Sequence, residues 1–413
     1  MKIHYNPLLF IILMFCITAC GSGSDKPENG SGTSAFDDDV KFLKKYGEVI
    51  ELTDSQLKSR IAVMPALQAR VMTSSAGPPE NLSYGWINKT FFESGDTSVH
   101  MNAFGGEERF WLGPEGGQFS IFFEKGSAFT FENWRTPRVI DLDAYELISK
   151  TAHMATFSKT TELVNYSGTR FKIKISRAIK VLEQGDAYQY LRAQADTTLQ
   201  CVAYQTINSI ENLADVAWSK NTGLLSIWLL GMFKPSPGLT TVVPFQEGPV
   251  STLGPIVSDD YFGTVPANRL HVANGAIFFR GDGEFRSKIG LSPRRAKDVM
   301  GSYDSATETL TIVKYSKGNP TDIYVNSKWE LQSEPFKGDV VNAYNDGPPG
   351  PGLKPMGPFY ELESSSHTRE LQPGESIIHT QATFHFKGKK ESINQLSKEV
   401  LGVSIADIIS AFK

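Results

Sequence analysis

The sequence predicts a mainly β protein, a large antiparallel β-sandwich with short terminal helices, and three observations lead to it. Period-two alternation recurs through the body. Phe171, Ile173 and Ile175 alternate with Lys172, Lys174 and Ser176, and Phe384 and Phe386 alternate with His385 and Lys387, the pattern of strands with one buried face. Turn chemistry punctuates these runs: Gly281-Asp282-Gly283 separates Ile277–Phe279 from Phe285–Ile289, and Asp304-Ser305 precedes Leu310–Val313, so both read as hairpins. Helical periodicity is expected only at the two ends of the body.

In chain order, the first segment is a leader. Lys2 supplies a basic start, Leu8 to Ile17 is apolar, and Ala19-Cys20 follows. That run has the length of a signal-peptide core and is too short to span a bilayer as a helix. Small residues before a cysteine at the end of such a run resemble the lipobox of bacterial lipoproteins, which implies a signal peptide over 1–19 and lipidation of Cys20; an ordinary secretory signal is the alternative. Residues 20–34 are rich in Gly and Ser and read as a flexible tether. One domain is expected over 35–413. Its first helix places Phe36, Val40 and Leu43 on one face, with Asp37–Asp39 at its start and Lys41, Lys44 and Lys45 later, the order that complements the helix dipole. Gly223–Phe233 (GLLSIWLLGMF) is the most apolar stretch, half the length of a membrane span, and reads as a core strand. At the C-terminus Ile405, Ile408, Ile409 and Phe412 share a helical face, and Ser404 with Asp407 has capping-box spacing.

Composition narrows the function classes. A net charge of −4 over 413 residues offers no basic surface for a polyanion, so no nucleic-acid partner is expected. Of three cysteines, Cys16 leaves with the leader and Cys20 takes lipid, so Cys201 remains alone and no intramolecular disulfide is possible. It reads as a core residue. His100, His153, His271, His367, His379 and His385 show neither HExxH nor close metal-ligand spacing, and there is no GxSxG and no phosphate-binding loop. No metal and no cofactor are expected.

Four polar segments are candidate sites. His100–Phe119 sets Glu107, Glu108, Arg109 and Glu115 among Phe104, Phe110 and Trp111; such a loop either holds a sugar, with an apolar platform under C–H groups and charged groups around the hydroxyls, or is a tight connection with a structural Arg–Glu pair. Arg286 and Lys288 alternate on a strand before Ser292-Pro293, as substrate-binding cations or as surface charge. Asp339–Pro351 reads more readily as a solvated turn than as a calcium loop. In Gly357–Ser376, Glu361 and Glu363 share one strand face with Phe359 while Tyr360 and Leu362 face the other way. Two such carboxylates raise one another's pKa, which suits general acid–base catalysis, or they form an exposed acidic face.

Taken in order, these segments resemble the galactose mutarotase-like superfamily, and in particular the Bacteroidetes-type lipoproteins allied to it. The resemblance rests on RIAVMPALQARVMTSS (60–75), NAFGGEERFWLGPEGGQF (102–119), YQTINSIEN (204–212), RSKIGLSP (286–293) and FYELESSSHTRELQPGES (359–376). It implies that fold, a carbohydrate ligand, and a late glutamate acting as base, a place best matched by Glu363 with Glu361 the adjacent alternative. The family's acidic histidine has no counterpart, since Trp228 stands in that region. Glu363 and Glu361 are thus the catalytic candidates, with Arg109, Trp111, Glu115, Lys288 and Arg286 binding substrate. The resemblance also implies a lipid-anchored protein of the cell envelope, on the periplasmic or surface face of the outer membrane. Two functions stay open: a carbohydrate-active lipoprotein, epimerase- or hydrolase-like, and a non-catalytic envelope protein using the fold for binding or assembly.

Overall fold

The computed structural model describes residues 35–350 and 352–413. The leader, Cys20 and the tether lie outside them. In chain order the strands are β1 (Ile50–Thr53), β2 (Arg60–Met64), β3 (Arg70–Ser75), β4 (Arg109–Gly113), β5 (Glu146–Lys150), β6 (Met154–Val164), β7 (Arg170–Val181), β8 (Gln200–Asn212), β9 (Ser226–Phe233), β10 (Leu239–Pro244), β11 (Leu270–Ala273), β12 (Ala276–Arg280), β13 (Ser287–Leu291), β14 (Val299–Asp304), β15 (Thr309–Tyr315), β16 (Val341–Asn345), β17 (Tyr360–Ser365) and β18 (Ser376–Lys387). They form a ten-stranded sheet in the order β11-β12-β10-β14-β15-β18-β8-β7-β6-β5, a five-stranded sheet in the order β13-β16-β17-β9-β4, and a small β1-β2-β3 sheet. Every pairing among the named strands is antiparallel.

The two larger sheets pack face to face, as strands with one apolar side must. Phe110, Leu112, Ile227 and Leu229 of the five-stranded sheet join Ile173, Ile175, Tyr204 and Ile210 of the other in one core. Ile289, Val341, Ala343 and Leu362 likewise meet Val243, Ile277, Phe279 and Val313. Behind the ten-stranded sheet, Phe278, Leu310, Phe384 and Phe386 are covered by Tyr188 and Leu191 of the helix Gln184–Leu191 and by Leu396, Ile405 and Ile408 of the helices Lys390–Val400 and Ile405–Ser410. The last helix opens with the expected capping box, Ser404 and Asp407 exchanging side-chain and backbone bonds.

Three expectations need correction. Helices are not confined to the ends: Lys89–Ser94, Gln184–Leu191 and Val250–Leu253 lie inside the chain. The Gly281–Gly283 reversal does not make a hairpin, because β12 belongs to the ten-stranded sheet and β13 to the five-stranded one. The segment crosses the sandwich, whereas β14 and β15 do pair as a hairpin with Asp304 opposite Thr309. His385, assigned to an outer face, is 1% exposed, because β18 is sandwiched between helices on one side and the second sheet on the other.

Candidate functional site

Strand alternation builds the site on the face of the five-stranded sheet turned away from the core. With Phe110, Leu112, Ile227, Leu229, Leu362, Val341 and Ala343 inward, the intervening Arg109, Trp111, Trp228, Leu230, Glu361, Glu363, Asn342, Tyr344 and Lys288 point outward. Register gathers them: Arg109 lies opposite Leu230, which lies opposite Glu363, which lies opposite Asn342. Trp111 pairs with Trp228, and Lys288 and Glu361 flank Tyr344 on either side. Gly290 is needed in this surface, since a Cβ there would stand 2.1 Å from the Asp339 carboxylate. Segments around Glu115, Phe131, Tyr261, Trp329 and Leu353 rise around the sheet face and enclose a cavity of about 830 Å³, within the size range of small-ligand sites. A smaller recess of about 80 Å³ adjoins it, lined by Arg109, Trp111, Glu115, Arg286, Lys288 and Glu361 together with Trp228 and Trp134.

The recess therefore collects six of the seven site residues named from the sequence. The seventh, Glu363, lies on the same face but beneath it. Its Oε2 accepts from the Lys288 ammonium at 2.8 Å and from Trp228 Nε1 at 2.9 Å, while Oε1 is buried without a protein partner. The carboxylate is fully buried. Glu361 reaches the recess wall but its Oε1 pairs with Arg109 Nη2. The Arg109 guanidinium lies 4.9 Å from the Trp111 ring, and Lys288 Nζ lies 4.8 Å from the Trp228 ring, so aromatic faces hold both cations in place.

Burial sets the proton affinities. It raises the Glu361 carboxyl above the usual carboxylate range, Arg109 opposing and Glu363 adding to the rise. Glu115 is pushed up to about 7, again chiefly by burial, with Lys288 opposing and Glu363 reinforcing. Glu115 is half-buried, lines both the cavity and the recess, and donates its backbone N–H to Ser327 Oγ at 3.1 Å. Of the three carboxyl groups it is the one that opens on both spaces. Asp339 and Asp346 on the cavity wall are each raised to about 6 by burial. Asp339 accepts from the Tyr261 hydroxyl at 2.7 Å, and Asp346 accepts from the Tyr344 hydroxyl at 3.0 Å and the Gly357 N–H at 2.9 Å.

Several lining residues have no forewarning in the sequence reading. Asp339, Asn342, Tyr344 and Asp346 come from the segment read as a solvated turn; alternation of Asn342 and Tyr344 with Val341 and Ala343 marks a two-faced strand there. Tyr261, Phe262 and Trp329 arrive on connections, where periodicity carries no signal. Glu107 and Glu108 part company with Arg109. Glu108 is bound to Arg177 between the sheets at 2.7 Å, and Glu107 approaches His385 Nε2 at 3.2 Å. Cys201 is buried, as expected of a core residue.

Solved structures similar to the chain include the Slr1438 protein of Synechocystis (TM-score 0.48, 11% identity, covering 83% of this chain and 96% of that one). A galactose mutarotase-like protein from Lactobacillus casei matches with TM-score 0.47 and 10% identity over 82% of this chain and all of that one (100%). A galactose mutarotase related enzyme from Lactobacillus acidophilus matches with TM-score 0.44 and 8% identity, covering 83% and 98%. No curated protein matches the sequence significantly. A family model spans residues 34–412, nearly the whole described body, and by that match the chain belongs to the family of unknown function DUF6786.

Proposed function

We propose that the protein is a cell-envelope lipoprotein whose β-sandwich binds a glycan in the cavity over its five-stranded sheet. The observation that carries this reading is the convergence, in one cavity of about 830 Å³, of aromatic walls with charged and amide side chains: Trp228, Trp329, Tyr261 and Tyr344 beside Glu115, Lys288, Asp339 and Asn342. Aromatic faces suit the C–H sides of sugar rings, and fixed polar groups suit their hydroxyls. Names of similar solved proteins refer to galactose mutarotase, and the segments 60–75, 102–119, 204–212, 286–293 and 359–376 resemble that superfamily in sequence.

Binding is the primary reading. Glu363 is sealed under Lys288 and Trp228, and Glu361 is engaged by Arg109, so neither is free in this state to take a proton from a sugar. A carbohydrate-modifying role is favoured by one feature, the half-buried Glu115 with its pKa of about 7, since a carboxyl poised there can give or take a proton near neutral pH. Calorimetry against a panel of mono- and disaccharides tests the binding reading, with NMR of the sugar anomers and products run on every ligand found. Saturable binding that weakens in Trp329→Ala is expected; the absence of any sugar ligand would sink the reading. Turnover that disappears in Glu115→Gln with binding retained would move the protein among the enzymes.

The anchor is supported by the first twenty residues alone. A lipid on Cys20 is the apolar device this reading supplies for membrane attachment. Cys20→Ala is expected to move the protein from the membrane fraction to the soluble one, and its persistence with membranes after a salt wash would refute the lipobox.

A further inference from the structure

The cations around the cavity are not equivalent. Arg109 is matched by Glu361, Lys288 by Glu363 at 2.8 Å, and Lys328 by Asp260 at 3.0 Å. Lys354 also lines the cavity without an ion pair but is exposed, whereas half-buried Arg286 lines both the cavity and the recess, and among the described residues no carboxylate stands within ion-pair distance of it. Its guanidinium lies 3.9 Å from the Phe262 ring. Stacking fixes the plane of the group and leaves the edge with its N–H donors unused. The neighbouring acid Asp346 is committed elsewhere, accepting from Tyr344 and Gly357. A half-buried, pre-oriented guanidinium beside a sugar-sized space is a fork for a planar anion.

A second observation concerns size and rim. Phe131, Phe262, Leu353 and Met356 line the cavity yet are 51%, 43%, 60% and 40% exposed. Large apolar side chains left at a cavity mouth offer stacking surface to a ligand that extends outward. At about 30 Å³ for each water-sized unit, a cavity of about 830 Å³ has room for more than one hexose ring.

Resting on the carbohydrate reading, we infer that the ligand is an acidic oligosaccharide, in which a uronic-acid carboxylate is gripped by Arg286 and an adjoining unit lies against the apolar rim. The carboxylate is planar and matches the two parallel donors of the guanidinium edge. A sulfate also offers two oxygens to that edge, so a sulfated sugar is the competing ligand to be separated from a uronic acid.

Calorimetry on the whole protein tests this with three kinds of probe: glucuronate- and galacturonate-containing disaccharides, the same disaccharides as methyl esters, and neutral disaccharides carrying a sulfate. The acids are expected to bind roughly 10- to 100-fold more tightly than their esters, the range for a hydrogen bond to a charged group. Arg286→Gln is expected to abolish that ratio by bringing acid binding down to the level of ester binding. Equal affinity for acid and ester in the unsubstituted protein would overturn the inference and leave carbohydrate binding standing. Sulfated sugars binding as tightly as the acids would overturn the assignment to a carboxylate. Failure of every disaccharide would overturn the inference and the underlying reading together. Should Arg286→Gln not fold, the acid-to-ester ratio of the unsubstituted protein still decides.

Discussion

Three successive residues, Glu107, Glu108 and Arg109, show how sharply backbone geometry divides similar chemistry. Arg109 turns to the recess and pairs with Glu361, while Glu108 enters the space between the sheets and binds Arg177 Nη2 at 2.7 Å, both side chains fully buried. Glu108 Oε2 also accepts from Thr206 at 3.0 Å and Gln381 at 3.2 Å. Removing one member of such a pair leaves the other charge without compensation. Arg177→Met is therefore expected to lower unfolding free energy by about 3–5 kcal/mol, read from urea denaturation near pH 8. The cost should shrink at pH 5, because burial already raises the Glu108 carboxyl to about 7 and a neutral acid needs no counter-ion. A further Glu108→Leu substitution in that background should restore part of the loss. A single variant as stable as the parent at both pH values would mean that the pair contributes nothing to the fold.

At the scale of elements, what the sequence makes legible is what obeys a period. Tyr360 and Leu362 against Glu361 and Glu363 declare the two faces of β17, and the structure places them so, with Leu362 in the inter-sheet core and Glu361 on the recess. The Ser404–Asp407 spacing marks the start of the last helix, and the helix Phe36–Leu43 buries Phe36, Val40 and Leu43 as its spacing requires. Failures arise where the signal is local and the outcome is not. Gly281-Asp282-Gly283 encodes a reversal, but the partner sheet of the next strand is decided by packing across the sandwich. Asp339–Pro351 has the composition of a turn, yet Val341 and Ala343 within it are fully buried, and core packing overrides composition. The site follows the same rule. Arg109 and Trp111 on β4, Lys288 on β13 and Glu361 on β17 were legible, as were Arg286 and Glu115 just beyond those strands, whereas Tyr261, Phe262 and Trp329 on longer connections were not. The inaccessibility of Glu363 depends on Lys288 and Trp228 meeting over it from β13 and β9, a contact between strands far apart in the chain.

For the whole molecule, buried carboxyl groups set how stability changes with pH. Glu108 and Glu115 are raised to about 7, Asp339 and Asp346 to about 6, and Glu361 is also raised, in each case chiefly by burial. In the unfolded chain these groups lose their protons near pH 4 to 4.5, the usual carboxylate range, whereas in the folded protein they hold them to higher pH. Between those limits the native state binds more protons than the unfolded state, so unfolding free energy falls as pH rises. Their stabilisation is complete below about pH 4 and is lost as pH climbs through about 6 to 7. His379 opposes the trend, since burial lowers its pKa to about 3; its imidazole stays neutral in the fold where the unfolded chain would protonate it, so its contribution grows with pH up to the usual histidine range. Asp141 is raised by burial as well, so among the described residues one histidine acts against six carboxyls, and the carboxyls prevail. Acids whose pKa is lowered by partners, such as Asp37 and Glu51, act below the usual carboxylate range and leave this window untouched. The melting temperature is accordingly expected to be higher at pH 5 than at pH 7.5 in scans at fixed ionic strength. Glu115→Gln, which removes one of the raised groups, should flatten the slope between those values. A melting temperature that rises from pH 5 to pH 7.5 would contradict the assignment of these carboxyls as buried and proton-holding, and with it the electrostatic picture of the cavity wall.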